Sequence, residues 1–510
     1  MTQFFQEYDQ AVNALIKDVG KEIRIGIPLG IGKPIGFINA LYIKAKNDPS
    51  IHLTIITALT LARPVFKTDL ERRFVEPILD RLIGDYADPI YEKDRVMQTV
   101  PSNIKIIEFF LSPGAYLNNK YVQQNYISCS YSSVIENLIA FNLNAIAQQV
   151  APKADNKDIF SLSCNSDLFL DVIDQFKQLN KPIAVIGESN KNLPFMLGEG
   201  ALITNNQFDY LIDAGKYHSL FALPREELSI QDNLIGLYTS TLVKDDGCLQ
   251  IGIGTLSNAV ANALIYRQQQ NAEYKKLLSI LDFDAKFKNV QMQIGEVDVF
   301  SKGVYASTEM FSDEFLFLIE AGILKKKVYD HIELQKLLNA GVITEKLNSN
   351  ILDVLIDNNI ITSSISLDEL QWLQHFGILD SKIEFKQHQL ILANGNAIPN
   401  DLSASEVKAA IGSSIGTNLK NGKILHSGFF IGTQNFYKTL REMSAAQLQQ
   451  LDMTYIKRTN TLDWSVELSK LQRKNMRFIN ASMMVTLGGV IISDGLQNLN
   501  EVSGVGGQFD

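Results

Sequence analysis

The sequence predicts an α/β protein made of two similar α/β domains with mostly parallel sheets, and an insertion in the second half. Three observations carry this reading. Apolar β-rich runs (IHLTIITAL from Ile51, NIKIIEFF from Asn103, PIAVIG from Pro182) alternate with helical patterns such as TDLERRFVEPILDRLI from Thr68, and such alternation marks parallel sheet. PLGIGKPIGFINALYI from Pro28 and LQIGIGTLSNAVANALI from Leu249 read alike, as an apolar strand, a Gly-Ile-Gly turn and a helix containing Asn-Ala-Leu. Their first glycines, Gly30 and Gly252, lie 222 residues apart (252 − 30), which points to internal duplication. Finally, 510 residues with 46% hydrophobic and 20% charged content are enough for two or more domains of ordinary globular composition.

In chain order, Phe4, Phe5, Tyr8, Val12, Leu15, Ile16 and Val19 recur near helical period and predict an amphipathic first helix. Acidic residues stand there where a signal peptide needs basic ones. A proline and a polar cluster in LPREELSIQDN, from Leu223, mark a boundary between an N-terminal domain over 1–222 and a C-terminal domain over 223–510. Within the second, about 323–440 reads as an inserted or elaborated region, with helical pieces HIELQKLLNAG from His331 and SLDELQWLQHFG from Ser366.

Composition excludes several classes of function. With 47 basic against 56 acidic residues the net charge is −9, which argues against a polyanion binder, so no nucleic acid is expected as partner. No run approaches the ~18 uninterrupted apolar residues of a membrane span, so no membrane association and a cytoplasmic location are expected. The three cysteines (Cys129, Cys164, Cys248) show no CxxC spacing and read as buried thiols of a reducing compartment. The six histidines show no paired-ligand spacing, so no metal is expected.

Three local patterns could carry chemistry. Gly252-Ile253-Gly254 after a strand and before a helix presents backbone donors to negative charge. As a dinucleotide fingerprint it is incomplete, because Ser257 takes the place of the third glycine and the stretch about 20 residues on is helical. Gly412-Ser413-Ser414-Ile415-Gly416 satisfies GxSxG, with His426 downstream, but it follows the helical pattern SASEVKAAI and reads as a helix end. In VYASTEMFSDEFLFLIEAG, from Val304, a short strand ends at Thr308 and a helix follows. Glu309, Asp313 and Glu314 then complement the helix dipole, or Glu309 acts as a nucleophile at a strand-to-helix corner, able to form a mixed anhydride with an activated acyl group.

LGIGKP from Leu29, LSPGAYLNNKYVQQNYISCSYSSVIENL from Leu111, LQIGIGTLSNAVANAL from Leu249, STEMFSDE from Ser307, FINASMMVTLGG from Phe478 and SGVGGQFD from Ser503 together resemble the acetyl-CoA hydrolase/transferase family. These are class I CoA-transferases such as succinyl-CoA:acetate and 4-hydroxybutyrate CoA-transferases, with two similar α/β domains per chain. The resemblance implies an acetyl-CoA hydrolase or acyl-CoA:carboxylate CoA-transferase, acting on acetyl-CoA or a related short-chain acyl-CoA through a glutamyl-CoA thioester on Glu309. It implies that the Ile253 N–H stabilises the oxyanion and that Asn480 orients or hydrogen-bonds the glutamate. It also implies that Gly252, Gly254, Gly504, Gly506 and Gly507 line the coenzyme A site. Coenzyme A is then a substrate moiety and no resident cofactor is needed; the partners are acyl-CoA and small carboxylates, and the assembly is a homodimer. Family members continue past GVGGQ through further strand and helix, so the chain is expected to be truncated at its end. The second class of function is a catalytically silent CoA-binding or scaffolding relative, which would keep coenzyme A but form no acyl-enzyme.

Overall fold

The computed structural model describes residues 2–510. Strands of the first half are β1 (Gln3–Phe5), β2 (Glu22–Gly26), β3 (His52–Thr57), β4 (Ile104–Glu108), β5 (Ala145–Lys153), β6 (Asn156–Ser161), β7 (Ala184–Ser189), β8 (Leu202–Thr204) and β9 (Tyr210–Ile212). They form one nine-stranded sheet in the order β1-β9-β7-β5-β2-β3-β4, parallel along that path, with β6 and β8 added antiparallel beside β5. Its centre is built from β-branched residues buried on both faces: Ile23 and Ile25 of β2, Ile55 and Ile56 of β3, Ile106 and Ile107 of β4. Helix Ile35–Asn47 lays Phe37, Ile38, Leu41, Tyr42 and Ala45 into the same core, each large apolar side chain contributing about 1.5–3 kcal/mol on burial. Helix Asp69–Ile83 starts where Thr68 Oγ1 accepts from the Glu71 N–H at 3.1 Å, the capping signal legible in TDLE.

One expected boundary moves. Phe4 and Phe5 lie in β1, which pairs with β9 from Gln3↔Tyr210 to Phe5↔Ile212, and the first helix covers only Tyr8–Val19. The sheet edge supplies backbone partners that a local periodicity cannot register.

The second half contributes β10 (Cys248–Ile251), β11 (Tyr305–Phe311), β12 (Glu384–Lys386), β13 (Gln389–Ile391), β14 (Ala397–Pro399), β15 (Leu425–Phe430), β16 (Leu451–Met453), β17 (Met476–Ile479), β18 (Met484–Val485) and β19 (Ile491–Ile492). Five of them form an all-parallel sheet ordered β16-β15-β11-β10-β17. Its winding repeats that of the first sheet. In each, the strand before a Gly-Ile-Gly turn is central (β2, β10), the next strands step outward on one side (β3 and β4; β11, β15 and β16), and the chain returns to the other side (β5; β17). Both glycine turns open a helix, Ile35–Asn47 and Thr255–Gln269. The crevice outside the carboxyl ends of such strands, at the reversal of order, is where open α/β sheets bind ligands.

The chain divides into two units. The first comprises Met1–Lys325, Leu425–Trp464 and Asn475–Asp510, and holds both large sheets. The second comprises Lys326–Ile424 and Ser465–Lys474. It folds around its own core, with Leu334, Leu355, Leu373 and Ile378 fully buried, and it carries the small antiparallel sheet β12-β13-β14. Helix Leu367–His375 there begins with a capping box between Ser366 and Glu369. No helix of the described residues is long and apolar enough to cross a membrane.

Candidate active site

Glu309 sits inside β11, two residues before its end. The strand runs on to Phe311, paired through Met310↔Phe429 and Phe311↔Phe430, and the helix begins only at Asp313. The sequence expectation of a strand ending at Thr308 is therefore corrected: β15 extends the pairing beyond the point where the local pattern turns polar. Glu309 still points from the carboxyl end of a central strand. Asp313 and Glu314 stand in the first turn of that helix, as expected, and both are buried, at 6% exposed. Asp313 accepts from the Thr433 N–H at 3.0 Å and from Thr433 Oγ1 at 2.7 Å, tying the helix start to the loop after β15.

A cavity of about 620 Å³ opens at this crevice, lined from the first half by Pro28, Leu59, Phe110 and Tyr131, and from the second by Ile253, Glu309, Asn480 and Gly504–Gln508. The described geometry brings most of the expected site residues to one place: Glu309, Ile253, Asn480, Gly252, Gly504, Gly506 and Gly507 all line it. Gly254 lies outside the lining and caps helix Thr255–Gln269 with φ +99°, a left-handed conformation that favours glycine. Gly504 is needed for close approach, because a Cβ there would lie 2.7 Å from the Phe109 carbonyl.

The carboxylate of Glu309 is met from two directions. Asn460 Nδ2 donates to its Oε2 at 3.0 Å, and the nearby backbone N–H of Gly507 favours its charged form. The Asn460 amide is oriented in turn, its Oδ1 accepting from Thr459 Oγ1 at 2.8 Å. Asn480, the asparagine expected to touch the glutamate, instead accepts from Gln250 Nε2 at 3.3 Å on the same cavity wall. Nothing in RTNTLDW distinguishes Asn460 from a turn asparagine, so sequence reasoning passed it over; it closes the short helix Ile456–Asn460.

A second acid shares the cavity. Asp167 is 3% exposed, accepts from the Tyr131 hydroxyl, and is pushed up to about 6, chiefly by burial. Tyr131 also donates its backbone N–H to the Gly506 carbonyl at 2.9 Å, and Ser132 donates to the Asp510 carboxylate through N–H and Oγ at 3.1 and 2.8 Å. The CSYSS segment thus grips the glycine loop that carries the Gly507 donor.

Glu309 faces the cavity and so is only half-buried by surface, but its wider surroundings are protein, and these govern its protonation. Burial pushes its carboxyl up to about 7, assisted by Asp510 and Asp167 and opposed by the Asn460 and Gly507 hydrogen bonds. The group is therefore partly protonated at neutral pH. Cys129, also in the wall, is a weak rival nucleophile because burial pushes its thiol up to about 11. Ser413 stands as the C-cap of helix Ser405–Gly412, so the GxSxG pattern lacks the strand that a nucleophile elbow requires.

Comparison with known proteins agrees with the motifs. Residues 432–510 match the acetyl-CoA hydrolase/transferase C-terminal domain. Over 186 residues the chain is 26% identical to the 4-hydroxybutyrate coenzyme A transferase of Clostridium kluyveri, covering 36% of this chain and 33% of that protein. The match thus spans about a third of the relative's length. In fold the chain is similar to RipA from Yersinia pestis, with a TM-score of 0.52 and 15% identity over 96% of this chain and 75% of that one. A point variant of RipA gives a TM-score of 0.54 at 15% identity over 99% and 77%. The expected α/β class with large parallel sheets is borne out.

Proposed function

We propose that this chain, which carries the acetyl-CoA hydrolase/transferase C-terminal domain at its residues 432–510, is an acyl-CoA:carboxylate CoA-transferase or acyl-CoA hydrolase that works through Glu309. The observation that carries the reading is a carboxylate on a central strand of the second sheet, facing a large cavity at the switch point and fixed by the Asn460 amide. Ionised Glu309 attacks the thioester carbonyl, expelling the coenzyme A thiolate and leaving a mixed anhydride. The thiolate then attacks the glutamyl carbonyl, which forms glutamyl-CoA and frees the acyl group as its carboxylate. A second carboxylate reverses the sequence, or water hydrolyses the glutamyl-CoA. Each tetrahedral intermediate needs donors aimed at its oxyanion, and the Ile253 N–H in the glycine turn is the group assigned to that role. Asn460 sets the rotamer of the attacking carboxylate, and Asn480 with Gln250 shapes the facing wall.

Transfer and hydrolysis differ in how well the site keeps water from the glutamyl-CoA and seats an acid against it. The apolar lining favours transfer, with acetyl-CoA as one donor. The test is release of free thiol from acetyl-CoA with and without added carboxylate, for the unsubstituted chain and Glu309→Ala. Formation of new acyl-CoA that depends on the carboxylate and on Glu309 is expected. Thiol release that no carboxylate diverts assigns a hydrolase, and turnover surviving in Glu309→Ala overturns the reading.

A further inference from the structure

The charge of the cavity wall bears on the acyl group. Among the described residues no lysine, arginine or histidine side chain lines the cavity, while two acids do, Glu309 and Asp167. The nearby cations are committed elsewhere. Lys33 is 0% exposed behind the wall, with Nζ donating to the carbonyls of Pro28, Ala58 and Leu59 at 2.8, 2.6 and 3.3 Å. Arg95 is 1% exposed and paired with Glu92 at 2.7 Å and Glu108 at 2.6 Å.

Several polar side chains of the wall are similarly engaged. Thr57 Oγ1 donates to the Pro28 carbonyl, Ser112 Oγ to that of Thr60 and Ser503 Oγ to that of Ser493. Gln148 Nε2 is shared between the Leu162 and Asn165 carbonyls, and the Tyr131 hydroxyl serves Asp167. The rest of the wall is largely apolar, Phe110, Leu138, Phe169, Phe429 and Ile431 among it.

We infer that the site accepts acyl groups of monocarboxylic acids with uncharged apolar tails and rejects dicarboxylyl groups such as succinyl. This rests on the proposed acyl-CoA chemistry and deepens it. A distal carboxylate held against this wall meets no cationic side chain and shares the cavity with two acids, Glu309 and Asp167. Burying an unpaired carboxylate is costly, whereas a methyl group at the same point gains from the apolar wall. The reacting carboxylate escapes this penalty through the Ile253 N–H, the group proposed above to serve its oxyanion. That places succinate outside the acids this protein can activate, in contrast to the succinyl-CoA:acetate reading open to the sequence.

The test uses two pairs of near-isosteric probes on the full chain. In turnover, butyryl-CoA is expected to exceed succinyl-CoA in kcat/KM by about a hundredfold or more, and Asp167→Asn, which removes one charge and keeps the side chain's shape, should narrow that ratio. In binding to Glu309→Ala, where no chemistry intervenes, calorimetry should find S-butyl-CoA bound more tightly than S-(3-carboxypropyl)-CoA by about tenfold or more. Equal or tighter binding of the carboxylated thioether, or equal turnover of succinyl-CoA, overturns this inference and leaves the acyl-CoA reading standing. Binding of neither thioether overturns both.

Discussion

Asn460 Nδ2 lies 3.0 Å from Glu309 Oε2, joining β11 to a short helix 151 residues further along the chain. The bond is built to donate one way, because Thr459 Oγ1 occupies the amide oxygen of Asn460. It fixes the rotamer of the proposed nucleophile and favours its ionised form. Asn460→Ala is therefore expected to lower kcat/KM by about 10²-fold, the range seen on removing one preorganised donor. It should also move the acidic limb of the pH profile to higher pH, a change that a merely structural loss would not produce.

The pH dependence of the unsubstituted protein follows from burial. With the Glu309 carboxyl pushed up to about 7, kcat/KM should rise with pH through that value and level off above it, because the ionised form attacks. Stability runs the other way. A raised carboxyl pKa contributes stability that is fully present below the ordinary value near 4.3 and is lost as pH rises through about 7. Melting curves from pH 5 to 8 should show Glu309→Gln gaining on the unsubstituted chain as pH increases. A constant difference between the two would contradict the burial argument.

Gly507 has no room for a side chain: a Cβ there would overlap both Glu309 Oε2 and Asn460 Nδ2. Gly507→Ala is expected to cost about a hundredfold or more in kcat/KM by displacing the carboxylate, with the far-UV circular dichroism unchanged. Gly412→Ala is the control, since a Cβ at Gly412 meets nothing within 4 Å, and its activity should be that of the unsubstituted protein.

Asp313 tests whether the acidic cluster does more than complement the helix dipole. A carboxylate that only complements a helix dipole is worth about 0.3–1 kcal/mol. Asp313 is 6% exposed and holds both donors of Thr433, so Asp313→Ala should cost about 2–4 kcal/mol in urea unfolding. A loss within the dipole range would show that the pair with Thr433 adds nothing.

Much of the architecture was legible because it is local. Strand and helix patterns at Ile51, Asn103, Pro182 and Thr68 mark elements that the structure contains, and the repeated Gly-Ile-Gly turns sit at equivalent points of two similarly wound sheets. The glycines of SGVGGQ could be chosen by motif, but the reason for Gly507 is visible only once Glu309 and Asn460 are packed against it. Asn460 itself was illegible, since its role arises from a contact across 151 residues and its neighbours form only a five-residue helix. β1 and the end of β11 were misjudged for a related reason: partner strands, β9 and β15, extend them past the local pattern. The protonation of Glu309 was likewise beyond the sequence, because desolvation depends on what surrounds a side chain in space.

The most direct measurement is to trap the intermediate. The full chain is incubated with acetyl-CoA, treated with borohydride and digested, and the peptide containing Glu309 is weighed. Reduction of a glutamyl-CoA thioester to the alcohol should lower the mass of that peptide, with the change mapping to Glu309 and absent from Glu309→Ala. An unmodified Glu309 peptide in a protein that turns over acyl-CoA, or a modification mapping to Cys129 or Ser414, would contradict the account.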